Sequence, residues 1–374
     1  MLTQALVVSE PGAEFTYQEI EVEDQLRDDE VLVQVTATGV CHTDLNWRHS
    51  KSRPGLFPAV LGHEGAGIVS KIGAHVSSVT PGDHVLVTYA CCTQCRNCRS
   101  KETSFCDDWV QYNFGVGRLD GSKAFAFKES KEKITSHFFG QSTFARHAIV
   151  MESGLVKVEK ELPLEILAPL GCGIQTGAGA MLNVIQPSSS STVVIVGVGS
   201  VGMAAVMSLR LLASPPSKII AVDIFPHRLD LAKRHGATHL IDAKAHPDLK
   251  AELSSITDGR GVDGAIDTTG RPDVLKALLN SAAKKGKVVT VGVSDPAAEV
   301  SISIFDTVNS GRTYVGCCMG NCYPQEFMPK LIAAWQEGKF PLDELIKTYN
   351  AKDMESAERD VLNGKTMKAV ITWS

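Results

Sequence analysis

Four cysteines in the first third of the chain have the spacing of a metal site. They follow the pattern Cys92-x2-Cys95-x2-Cys98-x7-Cys106 in a polar segment with few apolar residues of its own. Four thiolates at this spacing can hold one Zn²⁺ in tetrahedral geometry, and a segment without a core needs such a cross-link to be ordered. Unrelated cysteines or an iron–sulfur cluster are the alternatives. Since the protein would supply all four ligands, we expect a structural zinc with no open position.

Three further residues with metal-binding side chains are scattered along the chain, namely Cys41, His63 and Cys172. Each of them alone is more typical of a buried core position than of a ligand. The first two, however, stand in turns punctuated by glycine and next to acids, in the stretches GVCHTD and GHEGAG. Spacing alone does not unite the three residues.

A complete strand–helix–strand unit lies in the middle of the chain. A short buried strand leads into three glycines, then into a helix and a second buried strand that ends in an acid: Val193–Val196, Gly197-x-Gly199-x-x-Gly202, Met203–Leu212, Ile219–Val222 and Asp223. In such a unit the first glycine permits a tight turn, the second lets the backbone approach a pyrophosphate, and the third lets helix and strand pack closely. The free N–H groups at the helix N-terminus favour the phosphates. We therefore predict a dinucleotide site, with an ordinary glycine turn as the alternative.

Asp223 indicates which dinucleotide is preferred. It lies 21 residues after Gly202, where a carboxylate can accept hydrogen bonds from the adenosine ribose hydroxyls and would repel a 2'-phosphate. We expect NAD to be preferred over NADP. Arg228 lies nearby in the sequence, and its positive charge could weaken this preference.

The strand patterns around this unit predict an α/β fold with two kinds of domain. Short strands separated by glycine and proline in the first half are typical of a β-barrel. Beyond Asp223 four more strand candidates alternate with helices and complete six parallel strands of a doubly wound Rossmann sheet: Thr238–Ile241, Asp263–Ile266, Lys287–Val291 and Thr313–Val315. The expected divisions are a catalytic domain at 1–173 with a zinc lobe at 88–108, an NAD-binding domain at 174–316, and a return to the first domain at 317–374.

Composition excludes several classes of function. The 374 residues carry a net charge of −5 and no basic tract, which argues against nucleic acid as a partner. There is no apolar run of membrane length and no signal peptide, so a cytoplasmic location and no membrane partner are expected. Ten cysteines would be unusual as disulfides in that compartment, and metal binding explains them better.

Taken together, these motifs resemble the zinc-containing medium-chain alcohol dehydrogenases over essentially the whole chain. The resemblance is carried by GVCHTD, GHEGAG, the four-cysteine lobe, GCGIQTGAG at 171–179, GVGSVG and the acid at 223. The stretch HFFGQSTFA at 137–145 and the GIQTGAG form are most similar to the aryl or benzyl alcohol dehydrogenase branch. The resemblance implies a GroES-like β-barrel for the catalytic domain.

The same resemblance implies two zinc ions per chain. Cys41, His63 and Cys172 would hold a catalytic zinc whose fourth position takes water or a substrate oxygen. Around it, Asp44 would orient His63, Glu64 would ligate the metal transiently during ligand exchange, and Thr43 would take the alcohol proton.

For the cofactor the resemblance adds pyrophosphate contacts from His42 and Lys368 and a nicotinamide-side contact from Thr176. The full set of expected NAD-binding residues is His42, Thr176, Gly197, Gly199, Val201, Gly202, Asp223, Arg228, Val291 and Lys368.

One residue departs from the family pattern. Many members carry a histidine three residues after the threonine or serine, where it ends a proton relay, but this chain has Asn46 there. Asparagine does not titrate near neutrality, so we expect water to complete the relay. His49 is predicted to be a solvated loop residue.

The expected reaction is hydride transfer between NAD(H) and a primary, aromatic or allylic, alcohol and its aldehyde. Phe138 and Phe139 either line an aromatic substrate site or belong to the core. A secondary-alcohol or polyol dehydrogenase and a biosynthetic carbonyl reductase are the alternatives, and a non-catalytic nucleotide-binding protein is a third. Val300–Ile304 and the strand near Thr313 are expected to form a sheet edge that pairs two copies, as a homodimer or within a homotetramer.

Overall fold

The computed structural model describes residues 1–51 and 53–373 and divides the chain into two compact units. The first consists of Met1–Cys172, Tyr323–Ile332 and Leu342–Ser374, and the second of Gly173–Cys322 and Ala333–Pro341. Residues 317–322 and 333–341 thus group with the second unit, whereas the sequence assigns all of 317–374 to the first domain.

The first unit is built on β-strands that form a five-stranded and a seven-stranded sheet. Its strands are β1 (Leu2–Val8), β2 (Thr16–Val22), β3 (Glu30–Gly39), β4 (Ala59–Val60), β5 (Gly65–Ile72), β6 (His84–Val87), β7 (Phe125–Phe127), β8 (Lys133–Ile134), β9 (His147–Met151) and β10 (Leu155–Val158), joined near the C-terminus by β17 (Ile346–Asn350) and β18 (Lys368–Thr372). The smaller sheet has the order β4-β1-β2-β7-β8, and the larger has the order β10-β6-β5-β3-β18-β17 with β9 also on β3. The final strand therefore returns to the first unit.

Alternating valines explain the core of the larger sheet. Val31, Val33 and Val35 in β3 are all buried and pack against Val69 and Val85 of the neighbouring strands. Because successive side chains of a strand point to opposite faces, this spacing directs one whole face of β3 into the core.

Helices of this unit are short except near the C-terminus. They are α1 (His42–Arg48), α2 (Arg96–Arg99), α3 (Trp109–Phe114), α4 (Leu164–Leu167) and α12 (Met354–Leu362), and α11 (Pro324–Gln336) begins in it.

The second unit is a six-stranded parallel sheet with helices between its strands. In chain order its elements are α5 (Gly173–Gly179), β11 (Thr192–Val196), α6 (Ser200–Ser208), β12 (Lys218–Asp223), α7 (Pro226–Arg234), β13 (His239–Asp242), α8 (Leu249–Ile256), β14 (Val262–Asp267), α9 (Pro272–Ser281), β15 (Ala282–Thr290), α10 (Ile304–Ser310) and β16 (Thr313–Gly316). The strand order β13-β12-β11-β14-β15-β16 is that of a Rossmann sheet, and every neighbouring pair is parallel. The predicted fold class is confirmed.

One sequence expectation is wrong in this unit. Val300–Ile304 is not a strand, because Ile304 begins helix α10 and the Ser303 hydroxyl caps that helix by accepting a hydrogen bond from the Asp306 backbone N–H at 3.1 Å. A serine followed three residues later by an acid is a helix-start signal, and here it overrides the alternating β-type pattern. The strand near Thr313 does form, as β16 at the end of the sheet.

None of the helices in the described residues is both long enough and apolar enough to span a membrane.

Candidate metal centres and dinucleotide turn

The first unit brings together the three scattered residues and one acid. The ligand atoms of Cys41, His63, Glu64 and Cys172 all lie within 4.8 Å of one another. Cys41 is the residue before α1, His63 and Glu64 precede β5, and Cys172 follows a 3₁₀ turn at Ala168–Gly171. The structure thus places these residues next to one another, which could not be inferred from their spacing in the sequence.

Asp44 fixes the orientation of His63. Its carboxylate accepts a hydrogen bond from His63 Nδ1 at 2.8 Å and from the backbone N–H groups of Gly62 and Cys41 at 3.0 and 3.1 Å. Both side chains are fully buried. The other ring nitrogen, Nε2, is buried and has no hydrogen-bond partner among the described residues. A histidine held through one nitrogen with the other left free is the usual arrangement of a metal ligand, so the residues fit a zinc ion.

Protonation in this cluster is strongly perturbed. A hydrogen bond with Cys172 holds the pKa of Cys41 well below its usual range, and the same bond raises the pKa of Cys172. Burial would lower the pKa of His63, but the charge of Asp44, the hydrogen bond to Asp44 and the interaction with Cys41 together outweigh it and the pKa is raised. Metal binding requires thiolates and a neutral imidazole, so it must displace these protons.

Glu64 is paired with Lys368 in the interior. The Lys368 ammonium donates to both carboxylate oxygens of Glu64, at 2.8 and 2.9 Å, and to the Val40 carbonyl at 3.3 Å. A Cβ on Gly39 would lie 1.9 Å from the Glu64 carboxylate, so only glycine leaves room for this pair. Burial raises the pKa of Glu64 despite the nearby ammonium. The structure therefore places Lys368, expected at the pyrophosphate, buried against an acid of the metal cluster.

The four cysteines of the lobe also converge. The sulfur atoms of Cys92, Cys95, Cys98 and Cys106 lie within 4.8 Å of one another, and those of Cys92 and Cys98 are 3.9 Å apart. Two sulfurs in a tetrahedral site with zinc–sulfur bonds of about 2.3 Å would be separated by roughly 3.8 Å. Cys91 is buried but lies outside the group.

Backbone N–H groups point at these sulfurs. Those of Cys106, Cys92 and Cys95 accept from the backbone N–H groups of Cys92, Cys95 and Cys98 at 3.3, 3.3 and 3.4 Å. Such bonds, including one from Asp107, lower the pKa of Cys95 to about 7. These bonds favour the thiolate of Cys95, whereas burial raises the pKa of Cys98 and raises that of Cys106 to about 11. A metal binds the thiolate form, so it must displace protons from these two buried cysteines.

In the second unit the glycine turn has the expected geometry. Gly197 has a φ of +83°, a conformation that glycine adopts without cost, and Gly199 is the N-cap of α6. A Cβ on Gly202 would lie 2.0 Å from the Gly197 carbonyl oxygen, which explains the third glycine.

Asp223 ends β12 and organises the loop that follows. Its carboxylate accepts from the backbone N–H groups of Val198, Ile224 and Phe225 at 2.8, 2.7 and 3.0 Å. Arg228 Nη1 lies 4.0 Å from this carboxylate and its guanidinium stacks over Phe225. The two residues expected to influence cofactor preference are therefore adjacent.

The remaining expected cofactor residues belong to different elements of the two units. Thr176 and Val201 lie in α5 and at the start of α6, Val291 directly follows β15, and His42 is an exposed residue of α1 in the first unit.

Sequence reasoning missed the loop after β14. The buried Asp267 accepts from the backbone N–H groups of Thr269 and Gly270 at 2.9 and 3.2 Å, and its main-chain carbonyl accepts from Val291. The Thr268 hydroxyl donates to the Gly197 carbonyl at 2.8 Å. Ligands of open parallel sheets bind at the carboxyl ends of strands, and that rule could have identified this loop.

Aromatic rings surround the metal-ligand histidine. Phe139 stacks on His63 with ring centroids 4.4 Å apart, and Phe138 meets the same ring edge-on at 5.8 Å. Both phenylalanines are buried. Beyond them, Trp47 and Phe114 stack at 5.0 Å and are only partly buried. Phe138 and Phe139 therefore belong to the core, which is one of the two alternatives given for them above. Trp47 and Phe114 form the accessible side of the cluster, and sequence analysis did not identify them.

Known proteins carry the same combination of domains. Residues 27–160 match the family described as alcohol dehydrogenase GroES-like domain, and residues 200–337 match the family described as zinc-binding dehydrogenase. The chain is 34% identical over 371 residues to geraniol dehydrogenase of Castellaniella defragrans, covering 99% of this chain and 97% of that one. It is also 34% identical to S-(hydroxymethyl)glutathione dehydrogenase of Synechocystis, over the whole of both chains.

Solved structures agree with these matches. The fold is similar to benzyl alcohol dehydrogenase from Acinetobacter calcoaceticus, with a TM-score of 0.93, 38% identity and full coverage of both chains. A zinc-binding domain alcohol dehydrogenase protein from Burkholderia ambifaria gives a TM-score of 0.94 and 39% identity, covering 100% of this chain and 99% of that one. The chain belongs to the zinc-containing medium-chain alcohol dehydrogenases, and it is an oxidoreductase of that family. The narrower resemblance, to the benzyl alcohol dehydrogenase branch, is confirmed as well.

Proposed function

We propose that this protein transfers a hydride between NAD(H) and a primary aromatic or allylic alcohol and its aldehyde, with one catalytic and one structural zinc per chain. The observation that carries the proposal is the cluster of Cys41, His63 and Cys172, in which Asp44 holds Nδ1 of His63 while Nε2 has no hydrogen-bond partner among the described residues. A zinc ion held there supplies Lewis acidity to an alcohol or carbonyl oxygen. A non-catalytic nucleotide-binding protein would not need this constellation.

Side chains around the cluster position the reactants and handle the proton. Thr43 lies on α1 between Cys41 and Asp44. We infer that its hydroxyl accepts a proton from an alcohol at the cluster while it passes its own proton on. Asn46 and His49 are both exposed, and the Arg48 guanidinium donates a hydrogen bond to Nε2 of His49 at 3.0 Å. Water adjacent to these residues then accepts the proton, because neither Thr43 nor Asn46 retains it at neutral pH.

The cofactor preference follows from the end of β12. Asp223 presents a carboxylate where the adenosine ribose of a dinucleotide on the glycine turn would lie, and it favours hydroxyls over a 2'-phosphate. Arg228, 4.0 Å away, neutralises part of this charge. We infer NAD as the preferred cofactor, with some residual use of NADP.

The substrate preference follows from the aromatic cluster. Trp47 and Phe114 are its partly exposed members, and they connect through Phe139 to His63. A planar group on the carbinol carbon could pack on these rings, and aromatic pairs contribute about 0.5–1.5 kcal/mol beyond their buried area. Two relatives are named for geraniol and benzyl alcohol, and both compounds are primary alcohols with a π system beside the carbinol carbon.

An assay of benzylic, allylic, aliphatic and polyol alcohols with NAD and with NADP tests the proposal. We expect the highest kcat/KM for benzylic or allylic alcohols with NAD. Trp47→Ala should lower the ratio of kcat/KM for benzyl alcohol to that for ethanol by roughly tenfold, since stacking area is lost for one substrate only.

The matched control is Phe105→Ala, which removes an exposed ring of the same unit that is not part of the cluster. It should leave the ratio unchanged. A parent enzyme that prefers polyols, or that has a higher kcat/KM with NADP, would contradict the proposal.

We also propose that two copies associate through the edge of the Rossmann sheet. Strand β16 is the last of its sheet, and beside it Ile304, Phe305 and Val308 of α10 are 83, 76 and 78% exposed. Apolar side chains this exposed, next to an unpaired strand edge, favour burial against a second copy.

Sedimentation should therefore give at least twice the mass of one chain. Introducing charge with Phe305→Glu and Val308→Glu should give monomers, whereas Leu119→Glu, at an exposed apolar position in the first unit, should not. A monomeric parent protein at micromolar concentration would exclude this association.

A further inference from the structure

The fully buried side chain of Gln141 lies against the segments that carry the metal ligands. Its Nε2 donates to the main-chain carbonyls of His63 and Thr88, both at 3.0 Å. Its Oε1 accepts from the Gly65 backbone N–H at 3.2 Å. One carboxamide thus holds the backbone at His63 and two residues after it.

Thr88 extends the link to a second ligand. Its hydroxyl donates to the Gly171 carbonyl at 2.6 Å, and Gly171 directly precedes Cys172. A continuous path of buried hydrogen bonds therefore runs from His63 through Gln141 and Thr88 to the residue next to Cys172.

Thr143 extends the link toward the third ligand. Its hydroxyl donates to Gln141 Oε1 at 3.3 Å and lies 3.0 Å from the Thr38 hydroxyl. Thr38 stands near the end of β3, three residues before Cys41. Gln141, Thr143 and Thr38 are all fully buried. The network accordingly reaches the backbone at His63 and next to Cys172, and a side chain three residues before Cys41.

The segments joined by this network are closely packed against each other. A Cβ on Gly62 would lie 2.4 Å from the Phe144 backbone nitrogen, and a Cβ on Gly65 would lie 2.4 Å from Thr143 Cγ2. The stretch that contains Gln141 therefore touches the His63 loop without intervening side chains. A shift of one segment must move the other, because packed interiors have few voids to absorb it.

We propose that Gln141 is a positioning residue that sets the separation of His63 and Cys172 and so the affinity of the catalytic metal site. The inference rests on the proposed function, in which these two residues hold zinc. Residues that orient metal ligands typically change metal affinity or activity by 10–100-fold when they are replaced. Gln141 satisfies a donor or acceptor on several segments at once, and partial loss of such a buried network is costly.

The test compares Gln141→Met with Ser142→Ala in the zinc-loaded enzyme. Methionine has a similar volume but none of the hydrogen bonds. Ser142 is an equally buried neighbour whose hydroxyl donates to the Val60 carbonyl at 2.7 Å and accepts from the Phe138 backbone N–H at 2.9 Å, so it bonds neither a ligand residue nor a residue directly next to one. The readouts are the rate at which a chromogenic chelator removes zinc from the folded protein and the absorption spectrum of the cobalt-substituted form.

We expect Gln141→Met to lose the catalytic zinc about 10–100-fold faster than the parent and to shift the cobalt spectrum. The structural zinc should leave at its parental rate, and Ser142→Ala should match the parent in both readouts. Thr88→Val removes the hydroxyl that bonds the Gly171 carbonyl and keeps the Thr88 carbonyl that Gln141 bonds. It should change zinc loss in the same direction by a smaller factor, and it provides the test if Gln141→Met does not fold.

Equal rates of zinc loss in the parent, Gln141→Met and Thr88→Val would overturn the positioning role. So would a change in Ser142→Ala as large as that in Gln141→Met. If the parent itself holds no zinc at Cys41, His63 and Cys172, the proposed function fails instead.

Discussion

Cys172→Ser should abolish turnover while leaving the fold intact. Cys95→Ser should mainly lower the stability of the fold and leave turnover by the folded protein intact. Cys172 belongs to the cluster with an available position, and a serine hydroxyl is a poor zinc ligand. Loss of Lewis-acid stabilisation worth several kcal/mol corresponds to a fall in kcat on the order of 10³-fold. Cys95 belongs to a lobe whose polar segment has no core of its own, so losing its metal should lower the unfolding temperature.

Elemental analysis and thermal unfolding check this pair. The parent should contain two zinc ions per chain, and each variant should lose the zinc of its own cluster. Cys91→Ser is the matched control, because Cys91 is a buried neighbour of the lobe outside the four-cysteine group. Cys95→Ser that unfolds at the parental temperature but does not turn over would contradict the division into structural and catalytic metals.

The sequence predicted best where the physical cause is local. The glycine turn is an example, because Gly197, Gly199 and Gly202 are explained by one strand, one turn and one helix. The boundaries of β11 to β14 and of β16 were also predicted to within about one residue, since buried parallel strands appear as short apolar runs. Strand β15 begins at Ala282, well before the predicted start at Lys287, because its first half carries the lysines Lys284 and Lys285 and lacks an apolar run. Val300–Ile304 failed for a local reason too, since a capping serine competed with an alternating pattern.

Long-range contacts could not be predicted from the spacing and periodicity of residues. Cys41, His63 and Cys172 come together only because β3, β5 and a 3₁₀ turn meet in the first unit, and only resemblance to a family united them beforehand. Gln141 was quoted within a motif, but three of the four hydrogen-bond partners of its side chain, namely His63, Gly65 and Thr88, lie in other segments. Trp47 and Phe114 were missed for the same reason, as their rings stack across 67 positions of the sequence (114 − 47 = 67).

Lys368 and Glu64 form a long-range contact that affects both charge and stability. The two residues are 304 positions apart in the sequence, and both side chains are buried. Burial would lower the pKa of Lys368, but the charge of Glu64, the charge of Cys41 and the hydrogen bond to Glu64 together outweigh it and the pKa is raised. Removing one member of a buried ion pair costs about 3–5 kcal/mol because the other charge is left without a partner. Lys368→Met should therefore lower the free energy of unfolding by an amount in this range, toward its lower end if Glu64 takes up a proton.

Denaturant unfolding of the zinc-loaded protein measures this effect. Glu64→Gln combined with Lys368→Met should recover part of the loss, since no buried charge remains. Lys365→Met is the matched control, because Lys365 is 69% exposed and pairs with Asp360 only at the surface, where such a change is usually within about 0.5 kcal/mol. The resemblance instead implies that Lys368 contacts the pyrophosphate of NAD. If Lys368→Met unfolds like the parent and its main effect is a higher KM for NAD, that cofactor role stands and the structural role of the buried pair does not.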